Sequence, residues 1–391
     1  MREADFTDVS PGMLVPAATL DGRYWPAFVP NPLPPAINWS DSTVSLLSRA
    51  DQALSRLDGR AADLPTPYLL IHPMLSREAV ASSRIEGSTS NLAEVYQFQL
   101  SDIARDRDDA EEVANHVRAM QFGLERLQQL PMSLRLLREI HEVLLSGVRG
   151  HDRRPGEFRT RQVIIASSLP GIENARYVPP PPQEMMPALH ALEEFLHSDP
   201  TMPLLAQLAL IHYQFEAIHP FEDGNGRTGR ILIALLLCER GYLTHPWLNV
   251  SDFLVAYREQ YVDLLLGVSL RGEWDLWLKF FLMAISAAAT DALERVENLL
   301  QVRNLYRERV QSQRTAVSAF ELIDQLFELP YMNVPRVQAL LDVSHTAAQR
   351  YIARLVEAEI LTPVEERRRP QLYVAQGILD VIAEDPDFRD F

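Results

Sequence analysis

Cysteine is almost missing from this chain: Cys238 is the single one in 391 residues, which excludes a disulfide framework within the chain. It sits in an apolar run, where a thiol serves as packing material rather than as a reactive group. Positive charge is also scarce. Lys and Arg number 37 against 53 Asp and Glu, and the formal charge of −16 argues against a protein that coats nucleic acid or anionic membrane, while leaving room for a small basic site. No apolar run reads as long enough to span a bilayer, and residues 1–10 are too acidic and polar for a signal peptide. A soluble chain in the reducing cytoplasm, with no membrane partner, is the expectation. The histidines form no ligand cluster either: His212, seven residues before His219, lacks zinc-ligand spacing and reads as a packing or hydrogen-bonding residue. No Lys-Ser/Thr pair follows Gly226 as a Walker loop requires, and no kinase glycine loop with its partner motifs occurs.

What is present begins with size. With 47% hydrophobic residues, 391 residues suffice for two or three domains with real cores. The most informative stretch runs from His219 through Pro220, Phe221, Glu222, Asp223, Gly224, Asn225, Gly226, Arg227, Thr228 and Gly229 to Arg230. The apolar run 231–238 behind it reads as a buried helix, so the Gly224-Asn225-Gly226 turn falls at a helix N-terminus, where unpaired N–H groups and the helix dipole attract anions. Glycines at 224 and 226 let the backbone approach a pyrophosphate. Arg227 and Arg230, one turn apart, can clamp separate phosphates with planar forks. Asp223 offers the hard oxygen that Mg²⁺ prefers, and His219 is placed to take a proton from an attacking hydroxyl at neutral pH. The run contains no good covalent nucleophile, which favours direct transfer.

These twelve residues resemble the Fic motif His-x-Phe-x-Asp/Glu-Gly-Asn-Gly-Arg-x-x-Arg at every position. The pattern is long and irregular, unlike a lone glycine repeat, and the competing reading is a glycine helix cap with incidental charges. The resemblance implies transfer of AMP from ATP to a Ser, Thr or Tyr hydroxyl of a target protein, or of the chain itself. It makes His219 the general base, Asp223 the Mg²⁺ ligand, Phe221 a buried anchor, and Gly224 to Gly226 an anion hole. Arg227 and Arg230 would grip the leaving pyrophosphate, with Thr228 and Gly229 inside the same nucleotide-binding run. Upstream, Ser82-Ser83-Arg84-Ile85-Glu86-Gly87 resembles the family's inhibitory motif, in which Ser82, Glu86 and Gly87 are the matching positions. Glu86 would pair with Arg230 and occupy the fork a γ-phosphate needs. The bland alternative is an exposed helix-end glutamate before a glycine cap. Tyr257-Arg258-Glu259-Gln260-Tyr261 resembles an adenine-pocket stretch, Asn-Arg-x-x-Tyr-Tyr, but Tyr257 replaces its Asn and Val262 its second Tyr. Only Tyr261 carries over, with a core tyrosine as the alternative.

The fold this implies is mainly α: a Fic helical core with a β-hairpin flap, plus a C-terminal winged helix-turn-helix domain. Residues 1–100 form a proline-rich wrap of irregular chain followed by helices with the inhibitory motif, 101–290 the catalytic core, 291–314 a linker helix leading away from it, and 315–391 the winged-helix-like domain. Helical periodicity begins near Ser42, continues through 77–83, and returns at 109–130; Ser133 can cap a helix over 134–146. Short β-prone runs at 162–165 and 176–178, around Pro170-Gly171, read as a hairpin. In the family this is the flap that holds the target by strand addition, which nominates Val163, Ile164, Tyr177 and Val178 for docking. Gly156-Glu157-Phe158-Arg159 before it also resembles the family. Residues 247–268 and 273–288 are expected as two closing helices. Helices over 316–329, 334–341 and 345–358, then strands over 360–364 and 371–374, follow the winged-helix order, with Ser344, Thr346, Gln349 and Arg350 on the recognition helix and Arg367 to Arg369 in the wing. Residues 315–391 hold 13 acidic and seven basic side chains, so a protein-interaction or dimerisation module is preferred over a DNA binder.

The partners implied are ATP with Mg²⁺, an unidentified target protein, and a second copy of the chain in a homo-oligomer such as a dimer. Competing readings are a related phosphate transfer, removal of AMP aided by the Glu86 carboxylate, and a nucleotide-sensing DNA-binding regulator. A mere sensor has no need of His219.

Overall fold

The computed structural model describes residues 2–18, 24–62, 68–89, 91–101, 107–148, 152–166, 174–199, 201–311, 316–364 and 370–389. The expected hairpin turn at Pro170-Gly171 and the wing residues Arg367 to Arg369 lie outside them.

The N-terminal segment is not irregular chain as its prolines suggest. β1 (Gly12–Ala18) and β2 (Tyr24–Pro30) pair antiparallel, with Pro16 directly opposite Pro26. Neither proline has an N–H to donate, so the two can only face each other at a position where the ladder asks for none. The expectation that this segment packs on the core holds: Phe28 is fully buried, Gln214 donates to the Asn31 carbonyl (3.0 Å), and the Thr7 N–H bonds Leu270 O (3.0 Å).

The helices follow: α1 (Asp41–Ala62), α2 (Tyr68–Ile85), α3 (Leu92–Ser101), α4 (Arg107–Leu127) and α5 (Leu134–Leu144). α5 shows why the sequence folds this way. Ser133 accepts the Leu136 N–H at its N-terminus, and Leu134, Leu136, Leu137, Ile140, His141 and Leu144 make one buried face. The short hairpin β3 (Ile165–Ala166) and β4 (Ala175–Tyr177) pairs Ile165 with Tyr177. Then come α6 (Pro182–His197), α7 (Leu204–Ile218) and α8 (Asn225–Glu239), the last two packed together and buried along most of their length.

Residues 247–268 are not one helix. α9 (Val250–Ala256) and α10 (Arg258–Arg271) are separated at Tyr257, whose φ of −115° and ψ of 36° leave the helical region. α11 (Trp274–Val310) is also unlike the expectation: it is one continuous helix of 37 residues, so 291–310 is not a linker leading away. Its charged half is tied down, with Arg303 bonded to Asp324 and Arg295 to Asp291 and to the carbonyls of Val381 and Glu384. α11 is long and apolar enough by composition to cross a membrane, contrary to the reading of no such run; 61% of that apolar window is buried inside the protein. Its partners are α1, α7, α9 and the C-terminal helices.

The C-terminal region comprises α12 (Ala316–Glu328), β5 (Tyr331–Met332), α13 (Val334–Leu341), α14 (His345–Glu357), β6 (Thr362–Pro363), β7 (Tyr373–Val374) and α15 (Gln376–Ala383), with the strands in the order β5-β7-β6. Three helices lie where the sequence placed them; the strands are shorter than expected, and β5 and α15 were missed. A separate small domain is not what forms. α12 and α15 pack on α2 and α11, Arg77 of α2 donates to the Ile382 carbonyl, and a single hydrophobic core runs from Phe28 through Phe388.

Candidate active site

The site is built where α7 ends and α8 begins. His219 closes α7 in a left-handed conformation (φ 51°, ψ 63°), its N–H bonded to Phe215 O. That backbone is strained for a non-glycine residue and needs external support. Arg159 supplies it: Nε donates to His219 O (2.8 Å), Nη2 to Pro180 O (2.5 Å) and Ile218 O (3.3 Å), while its own N–H bonds Pro220 O (2.9 Å). Burial draws the Arg159 guanidinium down to about 10, which leaves it charged at neutral pH. His219 itself is drawn down to about 4, by burial first and then by Arg159, against the opposing pull of Glu86 and the Glu216 backbone. Its imidazole is therefore neutral at pH 7, the form a base requires.

The loop from Pro220 to Gly224 is held from inside. Phe221 is fully buried, and Asn225 brackets it, Oδ1 accepting the Phe221 N–H (2.8 Å) and Nδ2 donating to its carbonyl (3.0 Å). Asn225 thus shapes the loop instead of reaching toward a nucleotide with its side chain. Gly224 caps α8 at φ 73°, and the N–H groups of Asn225, Gly226 and Arg227 precede the first intrahelical bond, Thr228 N–H to Gly224 O (3.0 Å). Two other members of the run turn inward: the fully buried Thr228 donates its hydroxyl to Gly224 O (2.9 Å), and Gly229 packs on Phe215 and Glu216. The Thr228 hydroxyl and the bare Gly229 thus serve the packing of the helix; a β-carbon at 229 would collide with Glu216.

Asp223 points outward, its side chain 41% exposed, with Oδ1 accepting the Gly224 N–H (2.6 Å) and lying 3.7 Å from Arg227. Arg227 is engaged by Glu112 of α4 at 3.2 Å. Arg230 reaches α2, where Nε donates to Ser82 Oγ (2.7 Å) and Nη2 to Ser82 O (2.9 Å) and Glu86 Oε1 (2.8 Å). Glu86 lies against Gly226, where a β-carbon would strike its carboxylate. Desolvation pushes the Glu86 carboxyl up most, but the charge and hydrogen bond of Arg230, joined by the charges of Arg227 and His219, together outweigh it and hold the group below the usual carboxylate range. The chain leaves α2 through a left-handed Gly87 (φ 99°), and Ser88 and Thr89 are then tied to Asp109 of α4. The pairing of Glu86 with Arg230, expected from six residues far upstream, is thus present in the fold, and Ser82 joins it.

Tyr261 is a core residue. It is 4% exposed and its hydroxyl donates to His212 Nε2 (2.7 Å), while His212 Nδ1 faces the Gly229 carbonyl (3.3 Å). The flap residues divide. Tyr177 and Val178 are buried, the Tyr177 hydroxyl donating to Ala217 O (3.0 Å) and the Val178 carbonyl accepting the Phe28 N–H (2.9 Å), so their side chains anchor the hairpin. Val163 and Ile164 are half-buried and precede β3. Cys238 behaves as core, its thiol pushed up to about 12 by burial. Sequence reasoning missed Glu112, Arg159, His141 and the buried Glu216, whose carboxyl burial pushes up to about 7. Arg159 had a signal in the quoted Gly156-Glu157-Phe158-Arg159 run, and His141 in being the histidine on an otherwise leucine-rich face.

Comparison with known proteins bears directly on this geometry. Residues 131–237 match the Fic/DOC family, and residues 44–125 match the Fic/DOC family N-terminal region. The chain carries a Fic domain. It is 32% identical over 164 residues to a Drosophila virilis protein named Protein adenylyltransferase Fic and 29% identical over the same length to that of Drosophila melanogaster. These alignments cover 40% of this chain and 32% and 31% of those proteins, so the chain matches about a third of the length of its curated relatives. In fold it resembles a Fic family protein from Desulfovibrio desulfuricans G20, with a TM-score of 0.58 at 20% identity over 88% of this chain and 98% of that one. The Fic-1 segment from C. elegans aligns with a TM-score of 0.50 at 20% identity, covering 66% of this chain and 74% of that one.

Proposed function

We propose that this Fic chain is an ATP:protein adenylyltransferase that transfers AMP to a Ser, Thr or Tyr hydroxyl and is held inactive by Glu86. The observation that carries the reading is the Arg230 site, where a motif arginine is bound by the Ser82 and Glu86 of α2. The name borne by the Drosophila relatives supports the activity.

The residues divide the work as follows. N–H groups opening α8 bind phosphate oxygens at the positive end of the helix dipole. His219 accepts the proton of the incoming hydroxyl as its oxygen bonds the α-phosphorus, and the bond to the β-phosphate oxygen breaks with its electron pair leaving on pyrophosphate. Arg227 and Arg230, released from Glu112 and Glu86, stabilise that charge. The outward carboxylate of Asp223 fits Mg²⁺, which typically uses one or two carboxylates and substrate phosphates. Bound there, the ion would neutralise phosphate charge.

Exposure favours the carboxylate as the half of the blocking pair that leaves: Glu86 is 44% exposed and Arg230 only 2%. Glu86→Gly is therefore expected to raise self-labelling with α-labelled ATP, by about tenfold for a bias of only ~1.4 kcal/mol between blocked and competent poses. Arg230→Ala breaks the same pair but discards the clamp, and the double variant should resemble it. Labelling in Glu86→Gly no higher than in the parent, with ATP binding intact, defeats the self-inhibited reading; label arriving only from γ-labelled ATP defeats AMP transfer.

A further inference from the structure

His141 of α5 belongs to neither motif, yet it joins three parts of the site. Its ring is fully buried and lies flat on Phe221, with centroids 3.7 Å apart and an interplanar angle of 4°. Nδ1 is 2.9 Å from the Gly156 N–H, at the turn that leads through Arg159 toward the flap. Nε2 is 2.9 Å from the Asp223 carbonyl. A backbone N–H can only donate, so Nδ1 carries the lone pair and the proton resides on Nε2, which must then donate to Asp223 O. Both nitrogens are used, and the tautomer is dictated by the two partners.

We propose that His141 is a positioning residue for Asp223: by holding the Asp223 peptide through Nε2–H, it aims the carboxylate that would bind Mg²⁺ and fixes its spacing from His219. This rests on the adenylyltransferase reading above. The Asp223 peptide is gripped at its carbonyl by His141, and the following Gly224 N–H is bound by the Asp223 carboxylate itself. With the peptide plane fixed, the carboxylate retains only its side-chain torsions. Glycine at 224 is favoured by its φ of 73°, and a β-carbon there would meet Nε2 only in ordinary contact at 3.4 Å. Arg159 does the equivalent for the other end of the loop, at the His219 carbonyl. Base and metal carboxylate, four positions apart, are thus fixed from two different elements.

A core histidine kept only for packing would look similar in burial, and two amide substitutions separate the cases. Gln places its amide nitrogen near the Nε2 position and can keep the donation to Asp223; Asn reaches only the Nδ1 position and can keep the Gly156 bond alone. In a Glu86→Gly parent, His141→Asn is expected to raise the Mg²⁺ concentration for half-maximal transfer by about tenfold, the lower range for losing a group that orients a metal ligand. His141→Gln should shift it by less than about threefold. Mn²⁺ affinity, read by electron paramagnetic resonance with a non-hydrolysable ATP analogue, should follow the same order without depending on turnover. His141→Phe keeps a ring against Phe221 and loses both bonds, so it serves if His141→Asn does not fold, and should match the expectation for Asn. Equal metal requirements in parent, Gln and Asn or Phe variants, whatever their thermal stability, overturn the proposal, as does a shift in Gln equal to that in Asn. A parent that binds Mn²⁺ with the analogue but transfers no AMP sinks the adenylyltransferase reading, while the Mn²⁺ series still decides the role of His141.

Discussion

His219 keeps a left-handed backbone because Arg159 and the Phe221 bracket hold the loop on both sides of it. Its depressed pKa has a direct kinetic consequence. A histidine lowered from its usual value to about 4 stays neutral as pH falls through 6.5, so the acid limb of kcat/KM should lie below the ordinary imidazole range. Removing Glu86 takes away a charge that raises this pKa, so the limb should move no higher in Glu86→Gly. Measured between pH 4 and 8 in that variant, an acid limb at or above about 6.5 contradicts a buried neutral base. His219→Ala should lower transfer by more than about a hundredfold while ATP binding persists, because the base acts on the hydroxyl and not on the phosphates. The position of this site, with His219 just before a buried helix that opens at Gly224, was legible in residue types and spacing alone. The inward turn of Thr228, Gly229 and Asn225 was not, because which side of a helix meets a neighbour depends on α7 and on Phe221, not on the run itself.

At the scale of elements, α2 carries the contact to Arg230. It presents Ser82 and Glu86 to Arg230, while Arg258 holds its last turn by donating to Ile85 O (3.0 Å) and Arg77 ties it to Asp252 (2.7 Å). Ser82→Ala removes the bond to Arg230 Nε and leaves the carboxylate in place. Self-labelling in this variant should therefore fall between wild type and Glu86→Gly; a value at the wild-type level would mean that Glu86 alone holds the arginine. The sequence placed α5, α8, α13 and α14 well, since each has a cap or an unbroken apolar face: Ser133, Gly224, Asn333 and Ser344 mark their starts. It failed where such punctuation is weak. β5 has two residues, too few for a period, and Tyr257 divides α9 from α10 without a glycine or proline. β1 and β2 were hidden by prolines that are tolerated because the ribbon has only two strands.

Across the whole molecule, the C-terminal region behaves as part of the core. Removing residues beyond 311 would uncover the faces of α2 and α11 that meet α12 and α15, and would strip carbonyl partners from the buried Arg77 and Arg295. Lost hydrogen bonds to charged groups and exposed apolar surface together are costly. The truncated chain should melt more than about 5 °C lower than the full chain or fail to stay soluble; equal melting temperatures by calorimetry would restore the picture of an independent module. Most of the helices, and the place of the run from His219 to Arg230 at the start of α8, follow from local signals: caps, periodicity and residue types. What only the tertiary structure decided is which residues meet where no resemblance names them: His141 with Asp223 across 82 positions, and α15 with α2. Local sequence sets the conformation of a segment through steric and hydrogen-bonding preferences within a few residues, whereas partners far apart in the chain are selected by how all the apolar faces can be buried at once.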